Sequence, residues 1–127
     1  MLYMFILYKD RTLAVPPDVM EQHGAVEATA KKRKGYVSSA GLDETETATT
    51  VRVREGKPSV TEGPFADTKE VLSGFYIIDC KDRDEALEYA RQIPDAQFGA
   101  VEVRPVRYGV EELLRIKSVH GNGERSG

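Results

Sequence analysis

At 127 residues, with a formal net charge of −3 and 40% hydrophobic side chains, the chain has the dimensions of one domain built on a single core. Contacts to phosphate need a basic surface, so the acidic balance argues against nucleic acid as a partner. The one cysteine, Cys80, excludes an intramolecular disulfide and fits a reducing compartment, here the cytoplasm.

Residues 2–8 form an apolar run of strand length without polar alternation, which predicts a strand covered on both faces. The run has no basic start and no small-residue cleavage site. Lys9-Asp10-Arg11 ends it far short of the roughly 20 residues that span a bilayer, so no membrane is expected. After a loop over residues 11–17, Pro17-Asp18 opens a helix, with proline in the first turn and an acid at the positive dipole end. Val19, His23, Val26 and Ala30 share one face of it. Lys31 to Lys34 reads as a solvated C-terminal end, and Gly35 as the C-cap.

Residues 36–40 make a short extended piece, followed by an irregular polar stretch over 41–47. Residues 49–54 alternate, which places Val51 and Val53 inward and Arg52 and Arg54 outward. Glu55-Gly56 is a hairpin signal, and residues 57–61 return as the partner strand. Residues 71–80 carry the apolar run Phe75-Tyr76-Ile77-Ile78. Asp82 or Asp84 caps a second helix whose buried stripe is Ala86, Leu87, Ala90 and Ile93, and Pro94 ends it. Residues 99–106 form the last strand, with Val101 and Val103 inward and Glu102 and Arg104 outward. Residues 110–116 have the pattern for one or two helical turns, and residues 120–127 read as a polar, disordered tail.

This order gives an α+β fold: a ferredoxin-like sheet with two helices on one face, as one domain over residues 1–108 and a C-terminal extension over 109–127. Two helices on one side leave the other side bare. Depending on the phase of the first strand, either Leu2, Met4 and Ile6 or Tyr3, Phe5 and Leu7 would face water. A bare apolar face predicts a homodimer by sheet-on-sheet packing; the competing expectation is that residues 110–116 cover it.

His23 is the one side chain able to shuttle protons near neutrality unaided, and it sits on the apolar face of the first helix. A buried, hydrogen-bonded structural histidine is the alternative. His120 lies in the tail. The run Glu62-Gly63-Pro64-Phe65-Ala66-Asp67-Thr68-Lys69-Glu70 holds more chemistry than a connection needs. Asp67 and Glu70 have capping-box spacing, and Gly63-Pro64 reads as a turn. Capping leaves Phe65 and Lys69 unexplained. Lys69 suits a carboxylate or phosphate, and Glu62 or Asp67 could act as a base. The expected site is a cleft between this loop, His23 and Arg52, Arg54 or Arg104, holding a small anionic or polar ligand; salt bridges to Glu55 or Glu102 are the other use for these arginines. No glycine-rich phosphate loop, no Cys/His metal set and no nucleophile elbow occurs, so neither cofactor nor metal is expected.

The nine-residue run resembles the D-G-P-F-A-E-T-K-E signature of the DGPF group within the YCII-related family, with Glu62 and Asp67 each exchanging one acid for the other. Val101-Glu102-Val103-Arg104-Pro105-Val106 resembles the family's closing strand. The resemblance implies a dimeric α+β barrel, with muconolactone isomerase-like enzymes and small sensor domains among relatives of that architecture. It also implies a possible companionship with extracytoplasmic-function sigma factors, and in the wider family a histidine paired with an aspartate. Of two functions the sequence favours a ligand-binding or regulatory module, because no convincing nucleophile or base pair stands out; the alternative is an isomerase- or lyase-type enzyme with His23 and Asp67 as acid and base.

Overall fold

Strand β1 (Leu2–Asp10) runs through the centre of the molecule, flanked by β5 (Glu70–Asp79) and β6 (Gly99–Pro105), with β2 (Tyr36–Gly41) on the far edge. The order β2-β5-β1-β6, antiparallel throughout, is that of a ferredoxin-like α+β sheet. Helices α1 (Val19–Lys32) and α2 (Arg83–Gln92) supply the crossovers, and a short α3 (Asp95–Phe98) precedes β6. Among the described residues, strands β3 (Thr49–Arg54) and β4 (Lys57–Glu62) pair only with each other. The computed structural model describes residues 1–109; the expectations for residues 110–116 and 120–127 lie outside them.

The phase of β1 is now fixed. Tyr3, Phe5 and Leu7 are buried with Tyr76 and Ile78 of β5, under Val26 and Ala30 of α1 and Ala86, Tyr89 and Ile93 of α2. Phe5 meets Tyr89 edge to face, with centroids 6.3 Å apart, a favoured aromatic geometry. Met4, Ile6 and Tyr8 take the opposite face, where the register sets them across from Ile77, Phe75 and Leu72. These side chains stay partly exposed.

Several local readings need correction. Val51 and Val53 do not face inward: they are 63% and 57% exposed, and with Val60 they form one apolar face of a hairpin that stands off the main sheet. Alternation identifies an apolar face without identifying its cover. The hairpin turn forms as expected, with both Glu55 and Gly56 at positive φ. Gly35 is not the left-handed residue; Lys34 is, at φ 61, and Gly35 is small because a side chain there would strike the Asp79 carbonyl. Arg33 leaves the solvated helix end to tie α1 to α2, reaching Glu85 and Glu88 and lying over the Tyr89 ring. Asp82 is the cap of α2, its carboxylate accepting from the Glu85 amide at 2.9 Å. Tyr89 joins the buried stripe alongside Ala86 and Ile93.

Cys80 is 1% exposed, and burial pushes its thiol up to about 12, with the carboxylates of Glu85 and Asp79 adding to the effect. The raised value means that the folded state keeps the neutral thiol through pH 8 and loses stability only as pH climbs past the unfolded value, near 8.5, toward 12. Native protein at pH 8 is therefore expected to resist iodoacetamide, and urea-unfolded protein to label promptly. Equal labelling rates in the two states would contradict the burial.

Candidate functional site

His23 projects from the second turn of α1 toward β5 and α3. Its Nδ1 lies 2.7 Å from the Tyr76 hydroxyl, and its Nε2 lies 3.0 Å from Asp95 Oδ1. The His23 and Tyr76 rings stack at 5.8 Å between centroids and 24° between planes. Asp95 opens α3, directly after Pro94 has ended the α2 segment, and it is 4% exposed. Its second oxygen accepts from the Ser73 hydroxyl at 3.1 Å.

Ser73 reaches Asp95 because β5 is irregular at that point. Leu7 pairs with Gly74 and Tyr8 with Leu72, so Ser73 is an extra residue in a β-bulge. Its hydroxyl also lies 3.2 Å from the Leu7 carbonyl, so it has two acceptors for one hydrogen. Asp95 Oδ1 lacks a well-aligned hydrogen bond, although Nε2 is within ion-pair distance. A small rotation of the partly exposed imidazole points its N–H at that oxygen. Burial raises the Tyr76 phenol above its ordinary range, and the nearby carboxylates of Glu27 and Asp95 push the same way.

The group forms one wall of a cavity of about 320 Å³. Val15, Val19, Met20 and Phe98 supply apolar surface; Lys9 and Glu27 bring charge to it. That volume is at the lower end of small-molecule sites.

None of Arg52, Glu62, Phe65, Asp67, Lys69 and Arg104 lines the His23 cavity; Lys69 instead lines a separate surface pocket with Tyr8, Thr68 and Glu102. Asp67 is paired instead with Arg11 at 3.4 Å, and the same guanidinium reaches Thr45 and Glu46. Asp67 and Glu70 make no capping box, since residues 63–69 contain no helical turn and Glu70 already belongs to β5. Lys69 lies 3.4 Å from Asp10, whose carboxyl is held below the usual range by the Thr12 hydroxyl and amide. Phe65 is 66% exposed and carries the Arg52 guanidinium 4.7 Å above its ring. Glu62 sits beside Thr49 across the hairpin, and Arg104 is exposed on β6. The loop is thus a clasp of local ion pairs that fastens the hairpin to the end of β1.

The aspartate that meets His23 is Asp95, and Tyr76 and Ser73 join it. Asp95 follows a helix-ending proline, and Tyr76 lies inside an apolar run, so each sits where structural duty is the default reading. The signal was their type: an acid beside Pro94 and a hydroxyl in a buried strand need partners.

The chain belongs to the YCII-related family, whose YCII-related domain matches residues 1–108. An uncharacterized protein of Rhizobium meliloti strain 1021 is 37% identical over 114 residues, covering 84% of this chain and 92% of that protein. Among solved structures, 5-chloro-2-hydroxyhydroquinone dehydrochlorinase from Burkholderia phenoliruptrix AC1100, in complex with 2,5-dihydroxybenzoquinone, is similar with a TM-score of 0.41 and 17% identity, over 87% of this chain and 98% of that one.

Proposed function

We propose that the chain is a small-molecule enzyme of isomerase or lyase type that moves protons through His23. The observation that carries this reading is the buried Asp95 set 3.0 Å from His23 Nε2 on the wall of a cavity. An ionised carboxylate there only accepts, so it fixes the tautomer with the proton on Nε2 and leaves Nδ1 as the basic atom. It also stabilises the imidazolium that forms when Nδ1 takes a proton. The largely apolar cavity suits a small, mostly uncharged compound with an acidic C–H beside a carbonyl, or a phenol. No cofactor is needed for that step.

The test is uptake of solvent deuterium by small cyclic ketones and lactones, followed by proton NMR. His23→Asn is expected to lower the exchange by about 10²–10⁴-fold, the usual worth of a general base. Equal rates would remove the enzyme reading. A binding or regulatory module is the second reading, favoured by the fact that both ring nitrogens already have partners, as in a structural histidine. It is distinguished by ligand-induced thermal shifts that survive His23→Asn without any exchange.

The working unit in this proposal is a homodimer. The half-exposed face of Met4, Ile6, Phe75 and Ile77 supports it, as does the uncovered hairpin face of Val51, Val53 and Val60. Among the described residues no helix is long and apolar enough to cross a membrane, and the buried thiol of Cys80 suits the cytoplasm.

A further inference from the structure

We propose that Tyr76 is the group through which protons pass between His23 and a ligand in the cavity. This deepens the proton-transfer reading above and rests on it.

An imidazole has two polar atoms, and both are taken. Nε2 faces Asp95 at 3.0 Å, and Nδ1 faces the Tyr76 hydroxyl at 2.7 Å. With the proton on Nε2, Nδ1 is an acceptor, so the phenol donates to it. The His23 carbonyl, at 3.4 Å, is a much poorer acceptor for the same hydrogen. A ligand can therefore exchange a proton with His23 only by displacing one of these partners or by using it. Displacement is obstructed on both sides. Asp95 is 4% exposed and also held by Ser73. Tyr76 is 4% exposed, stacked on His23 and packed in the core beside Phe5, so swinging it away would open the core. Use is not obstructed: the hydroxyl has acceptor lone pairs to spare, and Tyr76 is part of the cavity wall.

The step balances without any further reactant. The ligand's X–H bond breaks, and its proton bonds to Tyr76 Oη. The phenol's own hydrogen leaves Oη for His23 Nδ1. The electron pair of the broken bond remains on the ligand, whose conjugate base is an enolate or phenolate, and the new imidazolium is balanced by Asp95. Reversal returns a proton to the same or a neighbouring ligand atom. Tyr76 is never a free phenolate, which agrees with the burial that raises its phenol above the ordinary range. The two transfers are consequently concerted.

Two measurements test this. In nitrogen-15 NMR of ring-labelled wild-type protein at pH 8, Nε2 of His23 is expected to show the protonated shift, and Nδ1 the unprotonated, hydrogen-bonded shift. A proton resting on Nδ1 would overturn the proposal, because the hydrogen bond would then run the other way. Tyr76→Phe, on the same ketones and lactones, is expected to lose about 10²-fold in exchange at saturating ligand, with the concentration for half-saturation unchanged. A rate equal to wild type would make Tyr76 a structural neighbour, and a faster rate would make it a blocking group; either result overturns the relay. Should Tyr76→Phe fold poorly, 3-fluorotyrosine at the same position preserves the ring and must shift the pH–rate profile; an unmoved profile counts against the relay. The outcomes separate the two claims. Loss of exchange in His23→Asn but not in Tyr76→Phe removes the relay alone. No effect in His23→Asn removes the proton-transfer function itself.

Discussion

Asp95→Asn should abolish most of the activity that depends on His23, by about 10²–10⁴-fold, while costing the fold only about 1–3 kcal/mol. The side chains are nearly isosteric, and the amide can still meet the Ser73 hydroxyl. What disappears is the charge. An amide carbonyl leaves the imidazolium uncompensated in a buried setting, and an amide NH₂ turned toward Nε2 favours the wrong tautomer. The substitution therefore separates chemistry from packing at a residue that is 4% exposed. The nitrogen-15 spectrum of the variant should contain a protonated Nδ1 population absent from wild type. Undiminished exchange in Asp95→Asn would mean that the His23–Asp95 contact is a core ion pair with no chemical task.

Ile6→Arg should convert a dimer into a monomer. Ile6 lies mid-strand on the face turned away from the helices, opposite Phe75 on one side and Glu102 on the other. If that face is bare in solution, the substitution is close to neutral, since an exposed arginine is well hydrated. If a second copy covers it, a bulky guanidinium with only Glu102 beside it is carried into an apolar interface at a cost of several kcal/mol, which weakens association by about 10³-fold or more. Sedimentation at micromolar concentration should then give twice the chain mass for wild type and one chain mass for the variant. Wild-type protein sedimenting as a monomer would eliminate the assembly.

The elements of the main sheet were legible because their burial is dictated within the chain. The inward faces of β1, β5 and β6 and the stripe on α2 find their cover in the same molecule, so local pattern and tertiary contact agree there, whereas the outer face of β1 and β5 stays half-exposed. Where the described residues supply no cover, pattern outran structure: Val51 and Val53 alternate as a buried strand does, yet they stay exposed. The His23 face was readable for the same reason that α1 was, but its aspartate was not. Asp67 and Asp95 are equally acidic in a sequence, and the choice between them depends on a four-residue helix and a register slip. Neither has a periodicity to betray it. The signature loop attracted attention by its density of charge, which the structure accounts for through ion pairs with Arg11 and Asp10.

Removing Ser73 from β5 would leave Leu72 and Gly74 in their present inside–outside order across from Tyr8 and Leu7. The Ser73 backbone carbonyl accepts from the Leu42 amide at 2.8 Å, and its hydroxyl is what holds Asp95. A one-codon deletion at this point would produce a strand of regular pleat and an aspartate without its latch. Chain length between Leu72 and Gly74 therefore decides whether Asp95 keeps its Ser73 partner, alongside the identities of the side chains themselves.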